Sequence, residues 1–244
     1  MGAAAVVLAL IAVVASPSDG SGHRTVLLGH SVDGRAITAV ESGDFDSPRK
    51  AVIVGCMHGN ECAGIAIASA LAAARAPSEV DLWIVSDVNP DGHAADTRQN
   101  AHGVDLNRNF PWRWQPLTGL YDSGPRPFSE PESRLAARLI ERVRPTVSIW
   151  FHQHLDVVDD STGSVTIESR LAHAAGMRIV PLAKEPGSAV TWETRCLPTA
   201  TAFVVELPSG SIRPAGAERY VDAVSAAVAA SPERRPQVAE ACET

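Results

Sequence analysis

The sequence predicts a single α/β domain with a mixed, mostly parallel β-sheet flanked by helices. Short apolar segments rich in β-branched residues alternate along the chain with segments of helical length and pattern, which is typical of strand–helix–strand units. The chain has 244 residues, a length that suits one domain. Its hydrophobic fraction of 45% is ordinary for a globular protein and is enough to form a core.

The N-terminal segment has the character of an export signal. Its first fifteen residues, MGAAAVVLALIAVVA, are almost wholly apolar and precede SPSDGSG. The run is too short to span a bilayer comfortably and ends at a small residue, Ala15, although no Lys or Arg precedes it. We expect residues 1–22 to be a signal peptide and flexible lead-in, and the protein to be secreted or in the cell envelope. A buried N-terminal helix in a cytoplasmic protein is the alternative.

The folded domain is expected over residues 23–231. It opens with two short strands around the Asp33-Gly34 turn. A buried strand is predicted next by the continuous apolar run KAVIVGCM. The alanine-rich segment NECAGIAIASALAAARA, which ends near Pro77, predicts a helix. A second buried strand that runs into a turn is predicted by DLWIVSDVNPDG.

The second half of the domain repeats this alternation after a long loop. Residues 93–128 are rich in Gly, Pro, Asn and Trp, and a loop of this length in a compact domain is usually functional. A helix is predicted in SEPESRLAARLIERVR, where Ser129 and Glu132 have capping-box spacing. Then follow a third buried strand, TVSIWFHQHLD, a short helix, SRLAHAAG, a fourth strand, TAFVVELPSG, and a final helix, PAGAERYVDAVSAAVAAS. Residues 232–244 form a polar tail.

Charge and cysteine content argue against a nucleic-acid-binding protein and against a zinc–thiolate site. The net charge of −7 argues against nucleic acid as a partner, because phosphate binding needs a basic patch. The four cysteines are Cys56, Cys62, Cys196 and Cys242, an even number that fits disulfides in an oxidising compartment, with three possible pairings. Since no CxxC is present, a zinc–thiolate site is disfavoured. We expect Cys56 and Cys62 to be buried, or bonded to the other two. Nothing in the sequence indicates an oligomeric state.

Polar residues follow all four predicted core strands. His58 follows the first, Asn89-Pro90-Asp91-Gly92 the second, His152 the third and Glu206 the fourth. The carboxyl ends of parallel strands meet at one edge of the sheet. Catalytic zinc takes three protein ligands, often two His and one Glu. His58 and Glu61 can both reach one ion, a distant His supplies the third ligand, and the remaining carboxylate is a candidate general base.

A set of ordered motifs resembles the zinc carboxypeptidase family, the carboxypeptidase A-like fold. The motifs are HGNE, NPDG, GVDLNRNFP, SEPE, FHQ and VVELP, and they run from about Val52 to Gly210. Among the branches of the family, the chain is most similar to the compact bacterial murein peptide amidases. That closer likeness lies in TRQNAHGVDLNRNFP, SGPRPFSEPESR, PGS and VVELP.

The resemblance implies a metal site and a catalytic pair. His58, Glu61 and His152 match the ligands of one Zn²⁺ ion. Glu206 matches the glutamate that acts as general base and then as general acid. Arg98 resembles the arginine that polarises the scissile carbonyl, a role in which a preorganised positive group is worth roughly 3 to 4 kcal/mol. The alternative third ligand is His154, which lies two residues after His152 and would share its face of an extended strand.

The resemblance also implies the substrate. Asn107 and Arg108 match the pair that grips a free terminal carboxylate, for which a planar guanidinium is suited. We therefore expect a small peptide with a free C-terminal carboxylate, in particular a murein peptide cut at the γ-D-glutamyl–diaminopimelate amide. Neither Tyr121 nor Tyr220 occupies the position of the pocket tyrosine of the digestive carboxypeptidases, some twenty residues before the catalytic glutamate. The alternatives are a general metallocarboxypeptidase, a deacylase of the succinylglutamate desuccinylase or aspartoacylase type, and a catalytically dead binding protein.

Overall fold

The computed structural model describes residues 13–14, 22–77, 79–160, 165–197 and 200–230. The strands of this part are β1 (Val13–Val14), β2 (Gly22–His30), β3 (Ala36–Gly43), β4 (Lys50–Val54), β5 (Asp81–Val85), β6 (Val147–Gln153), β7 (Val157–Asp159), β8 (Arg178–Val180) and β9 (Thr201–Leu207). The helices are α1 (Gly64–Ala73), α2 (Pro90–Ala95), α3 (Pro131–Val143), α4 (Val165–Ala175), α5 (Ala189–Cys196) and α6 (Pro214–Val228). Two 3₁₀ turns span Leu106–Arg108 and Gly119–Tyr121.

The strands form one mixed sheet in the order β1-β2-β3-β5-β4-β6-β9-β7-β8. The central strands β5, β4, β6 and β9 are parallel, so their carboxyl ends share one edge. Antiparallel neighbours extend the sheet on both sides, β3 against β5 and β7 against β9. The predicted α/β class with a mixed sheet is confirmed, and its parallel part is the centre that carries the candidate site.

Two hydrophobic cores cover the two faces of this sheet. Successive side chains of a strand point to opposite faces, and in β4 Ile53 enters one core while Val52 and Val54 enter the other. Helices α1, α4 and α6 pack over the first face, and α3 and α5 pack over the second. Burial on both faces explains why the central strands are continuous apolar runs in the sequence.

Two local predictions are wrong, and one helix was not predicted. The NPDG segment is not a simple turn, because it begins α2, whose N-cap Asn89 accepts a hydrogen bond from the Gly92 amide at 3.0 Å. The predicted capping box does not form, because Glu132 instead accepts a hydrogen bond from the Val32 amide at 3.0 Å. The segment after PGS forms helix α5, which the sequence reading did not predict.

The two ends of the chain lie largely outside the described residues. This holds for the predicted signal peptide and lead-in, apart from Val13, Val14 and Gly22, and for the predicted polar tail of residues 232–244. Val13 and Val14 pair antiparallel with β2. In the part of the chain that the structure describes, no helix is long and apolar enough to cross a bilayer.

Candidate metal centre and catalytic cleft

Three side chains converge at the carboxyl ends of β4 and β6. His58 Nδ1 lies 2.9 Å from Glu61 Oε2, His152 Nδ1 lies 3.1 Å from His58 Nδ1, and His152 Nδ1 lies 3.2 Å from Glu61 Oε2. Donor atoms about 2.1 Å from a tetrahedral zinc ion would be about 3.4 Å apart, so these separations are slightly tighter than such a site requires. Among the described residues, this is the one group of His, Cys, Asp and Glu side chains whose atoms can share a metal ion.

The turn between β4 and α1 brings the first two of these residues together. The Glu61 amide donates to the His58 carbonyl at 2.8 Å. A Cβ on Gly59 would come within 1.9 Å of the Gly92 carbonyl carbon, so the HGNE turn can pack against α2 only with glycine there.

A disulfide joins Cys56 to Cys62, and so closes a short loop around the His58–Glu61 turn. Of the two expectations for these cysteines, burial is confirmed for Cys56, and bonding to Cys196 or Cys242 is wrong. Cys242 itself lies outside the described residues. A thiolate in this loop would be a rival zinc ligand. The disulfide removes that rival.

The carboxylate of Asp105 contacts His58 on the side of its ring opposite the other two candidate ligands. It is fully buried, and its Oδ1 lies 3.1 Å from His58 Nε2, the ring nitrogen that faces away from the triad. Such a carboxylate fixes the tautomer and orientation of a ligating histidine. Arg98 Nε donates to Asp105 Oδ2 at 2.8 Å, and Arg98 Nη1 donates to Glu61 Oε1 at 2.8 Å. The sequence reading missed Asp105, although it stands within the GVDLNRNFP motif.

The charges of this cluster prepare it to bind a cation. Burial opposes ionisation of Glu61, but hydrogen bonds from His152 and His58 outweigh it and hold the pKa of this carboxyl far below its usual range. Burial opposes ionisation of Asp105 as well, but the charges of His58 and Arg98 keep its pKa low. Burial lowers the pKa of His152, which favours the neutral imidazole that ligates metals.

His58 behaves differently from His152. Burial alone would lower its pKa, but the neighbouring Asp105 and Glu61 carboxylates raise the pKa above its ordinary value. A divalent cation at the three donors would balance this negative charge. The donor set therefore fits zinc in charge and in ligand type, with separations within about 0.5 Å of those that a tetrahedral site requires.

Glu206 lies beside the triad because of strand register. In the parallel pairing of β6 with β9, Glu206 is the partner of His152. Its Oε2 atom is buried and has no hydrogen-bond partner among the described residues. A buried carboxylate oxygen without a donor is costly in a folded protein. We infer that this oxygen faces a proton donor that enters with the reaction, as a water molecule or a substrate group does.

Asn107 and Arg108 stand on the 3₁₀ turn after Asp105. Only 8% of Arg108 is exposed, and within the described part of the chain its one carboxylate neighbour in salt-bridge range is Glu185, at a loose 3.8 Å from Nη2. Asn107 Oδ1 accepts from the Ala189 amide at 3.0 Å, which leaves the side-chain NH₂ group to donate. The backbone of Gly187, at φ +71°, fits against the Arg108 carbonyl, which a Cβ there would approach to 2.1 Å.

All seven residues predicted from the sequence line one cavity of about 260 Å³. They are His58, Glu61, Arg98, Asn107, Arg108, His152 and Glu206. His154 is not among the lining residues. The expectation that it shares the face of His152 is wrong, because β6 ends at Gln153 and His154 is exposed. The structure thus brings the predicted residues together, while their individual roles remain predictions.

Gln153, the last residue of β6, forms hydrogen bonds to the segments that follow β4 and β9. Its Oε1 accepts from the Ala63 amide at 3.0 Å, at the start of α1. Its Nε2 donates to the carbonyls of Pro208 at 3.0 Å and Gly210 at 2.8 Å, just after β9. One amide therefore fixes the ends of three neighbouring segments around the metal-ligand set.

Comparison with protein families gives a match to the zinc carboxypeptidase model over residues 19–159. The murein peptide amidase A of Escherichia coli K12 is 32% identical over 162 residues, which cover 60% of this chain and 66% of the relative. The protein of that name from Vibrio campbellii is 33% identical over 184 residues, which cover 67% of this chain and 71% of the relative. The chain thus matches about two thirds of the length of these relatives.

Solved structures show the same fold. The murein-tripeptide amidase MpaA from Escherichia coli O157 superposes with a TM-score of 0.72 and 27% identity, covering 86% of this chain and 93% of that one. Carboxypeptidase A from Helicoverpa armigera superposes with a TM-score of 0.70 and 18% identity, covering 86% of this chain and 69% of that one. The second likeness shows the fold alone.

Proposed function

Because this chain belongs to the zinc carboxypeptidase family, we propose that it is a zinc-dependent amidohydrolase that cleaves the amide next to a free C-terminal carboxylate. One observation carries the proposal. A metal-ligand triad, a carboxylate oxygen with no hydrogen-bond partner among the described residues, and the pair of the buried Arg108 with the half-buried Asn107 face the same cavity. These are the parts that amide hydrolysis at a chain end requires.

The residues of the chain divide the chemistry among them. His58, Glu61 and His152 would hold a zinc ion, which would supply Lewis-acid chemistry to a carbonyl group and to water. Glu206, which lines the same cavity, would take a proton from a water molecule with its Oε2 atom and pass that proton to the leaving amine. Arg98 Nη2 makes no hydrogen bond to any described residue, so it remains free to donate to the carbonyl oxygen of the substrate.

The substrate carboxylate is expected at Arg108. This guanidinium is nearly buried, and its ion pair with Glu185 spans a loose 3.8 Å, while the Asp105 carboxylate interacts with it through charge alone. A buried cation is costly unless partners that accept hydrogen bonds compensate its charge. A carboxylate that accepts two hydrogen bonds from the guanidinium, with a third from the Asn107 amide, would compensate this charge.

We propose murein peptides as the substrate class, cut between γ-D-glutamate and diaminopimelate. The relatives named murein peptide amidase A and the similarity to MpaA support this class. The cavity wall supports it independently. Lys184 and Glu185 stand next to each other on that wall, one of each charge. The far end of the diaminopimelate side chain bears both an ammonium group and a carboxylate, so such a wall suits it.

The test is a digest of L-alanyl-γ-D-glutamyl-diaminopimelate followed by mass spectrometry, with and without a zinc chelator. Metal-dependent release of diaminopimelate supports the proposal. A parallel panel contains ordinary L-peptides and N-acyl amino acids. Cleavage of the L-peptides but not of the γ-D-glutamyl bond would indicate a general metallocarboxypeptidase. Cleavage of the N-acyl amino acids alone would indicate a deacylase.

We further propose that the protein is exported. The apolar N-terminal run supports export, as does the Cys56–Cys62 disulfide, since disulfides persist in oxidising compartments. The test is fractionation of cells that express the full chain, with N-terminal sequencing of the product. A mature N-terminus near residue 16 in the exported fraction is expected, and an intact protein in the cytoplasmic fraction would refute export.

A further inference from the structure

A single aromatic ring contacts both of the arginines in the candidate site. The guanidinium carbon of Arg98 lies 5.3 Å from the centroid of the Tyr121 ring, and that of Arg108 lies 5.4 Å from the same centroid. Both distances are within the range of cation–π attraction, about 6 Å. Tyr121 is therefore the side chain that links the proposed carbonyl-polarising residue to the proposed carboxylate-binding residue.

The backbone around Tyr121 is fixed to the same two segments. The Gly119 carbonyl accepts from Gln99 Nε2 at 2.7 Å, next to Arg98. The Asp122 carbonyl accepts from the Asp105 amide at 2.8 Å, three residues before Arg108. The 3₁₀ turn is thus anchored on both sides of the tyrosine, so the position of the ring depends on the segments that carry the arginines.

Core packing does not explain this placement. Tyr121 is 48% exposed and its neighbour Leu120 is 57% exposed, whereas large apolar side chains of the described chain are mostly buried. An exposed ring on a hydrogen-bonded loop, in contact with two arginines that line a cavity, is more typical of a binding surface than of a folding core. The two guanidinium groups also repel each other, and the π face of one ring stabilises both.

We infer that Tyr121 is a positioning residue, whose ring face holds the guanidinium planes of Arg98 and Arg108 in the orientation that substrate requires. This inference rests on the proposed roles of those two arginines. The ring face performs this role, so phenylalanine should replace tyrosine and leucine should not.

The test compares Tyr121→Phe with Tyr121→Leu, and Leu120→Ala is the matched control from the same exposed turn. On the murein tripeptide, Tyr121→Leu should lower kcat/KM by roughly 5- to 30-fold. KM should rise because Arg108 is affected, and kcat should fall because Arg98 is affected. Tyr121→Phe and Leu120→Ala should stay within about twofold of wild type. Equal loss in the Phe and Leu variants would overturn the inference, because the hydroxyl would then be the group that matters.

A second readout does not depend on turnover. In ¹H–¹⁵N spectra of the full chain, the Nε–H resonances of Arg98 and Arg108 are expected to carry the ring-current shift of an aromatic neighbour. They should move in Tyr121→Leu and remain in Tyr121→Phe, with Arg98→Lys and Arg108→Lys used for assignment. Unmoved resonances in Tyr121→Leu would overturn the inference. If the wild-type protein leaves the murein tripeptide uncut, the proposed substrate fails, while these spectra still decide the role of Tyr121.

Discussion

Glu193 gives the stability of this protein a pH dependence that one substitution can remove. It lies on α5, is fully buried, and accepts a hydrogen bond from Trp150 Nε1 at 3.1 Å and another from the Ser148 hydroxyl. Burial outweighs both hydrogen bonds and raises the pKa of Glu193 from 4.5 to about 7. The folded state therefore keeps this proton over a pH range in which the unfolded chain has released it.

The sign and size of the effect follow from that shift. Since the folded pKa is raised, stability is lost as the pH rises from about 4.5 to about 7. The full shift corresponds to about 3 kcal/mol at 1.36 kcal/mol per pKa unit. Between pH 5 and pH 8, roughly 2 kcal/mol of this loss should be seen.

The assay is urea unfolding of wild type and Glu193→Gln at pH 5 to 8, with chelator present to remove the linkage of zinc to pH. Glutamine can accept from Trp150 with its carbonyl oxygen and donate its NH₂ group to the Ser148 hydroxyl, and it cannot ionise. The variant should therefore gain stability relative to wild type by roughly 2 kcal/mol across this range. Glu218→Gln, an exposed glutamate of α6, controls for the loss of one carboxylate. A constant difference between Glu193→Gln and wild type at every pH would refute the reasoning.

Three further predictions concern the site itself. Asp105→Asn should weaken zinc binding 10- to 100-fold in competition with a chromophoric chelator, because His58 loses its orienting carboxylate; unchanged affinity would contradict that role. Arg108→Lys should raise KM at least about tenfold for peptides with a free C-terminal carboxylate, because a lysine cannot make two parallel hydrogen bonds to that carboxylate. An unchanged KM would place the carboxylate elsewhere. The Cys56→Ser, Cys62→Ser double variant should lose about 2 kcal/mol of unfolding free energy in urea, as expected for a short disulfide loop. Equal stability would show that the bond adds nothing to the folded state.

The central elements were predictable from the sequence because their burial leaves a strong pattern. Strands β4, β5 and β6 are covered on both faces and read as continuous apolar runs. Residues at the ends of such strands must share one sheet edge, which is why His58, His152 and Glu206 could be grouped before the structure was known. Glu61 could be added because it follows His58 by three residues, so that both can reach one ion.

The features that were missed depend on contacts distant in the sequence. Asp105 contacts His58, which lies 47 positions earlier in the chain. The residues around Asp105 in the sequence do not identify His58 as its partner. The spacing of Glu132 from Ser129 predicted a capping residue. Its carboxylate oxygens instead accept hydrogen bonds from the Val32 amide and from Asn100 Nδ2, which lie far from it in the sequence. Strand β7 has only three residues, too few to leave a periodic pattern.

The most direct test of the central claim is Glu206→Gln, measured for zinc content and for turnover of the murein tripeptide in one preparation. Glutamine preserves the size of the side chain and leaves the triad of His58, Glu61 and His152 intact. The variant should bind zinc as wild type does, and its turnover should fall by a factor on the order of 10² to 10⁴, the contribution of a general base. Turnover close to that of wild type, with zinc bound, would contradict the assignment of Glu206 as the proton acceptor of this site.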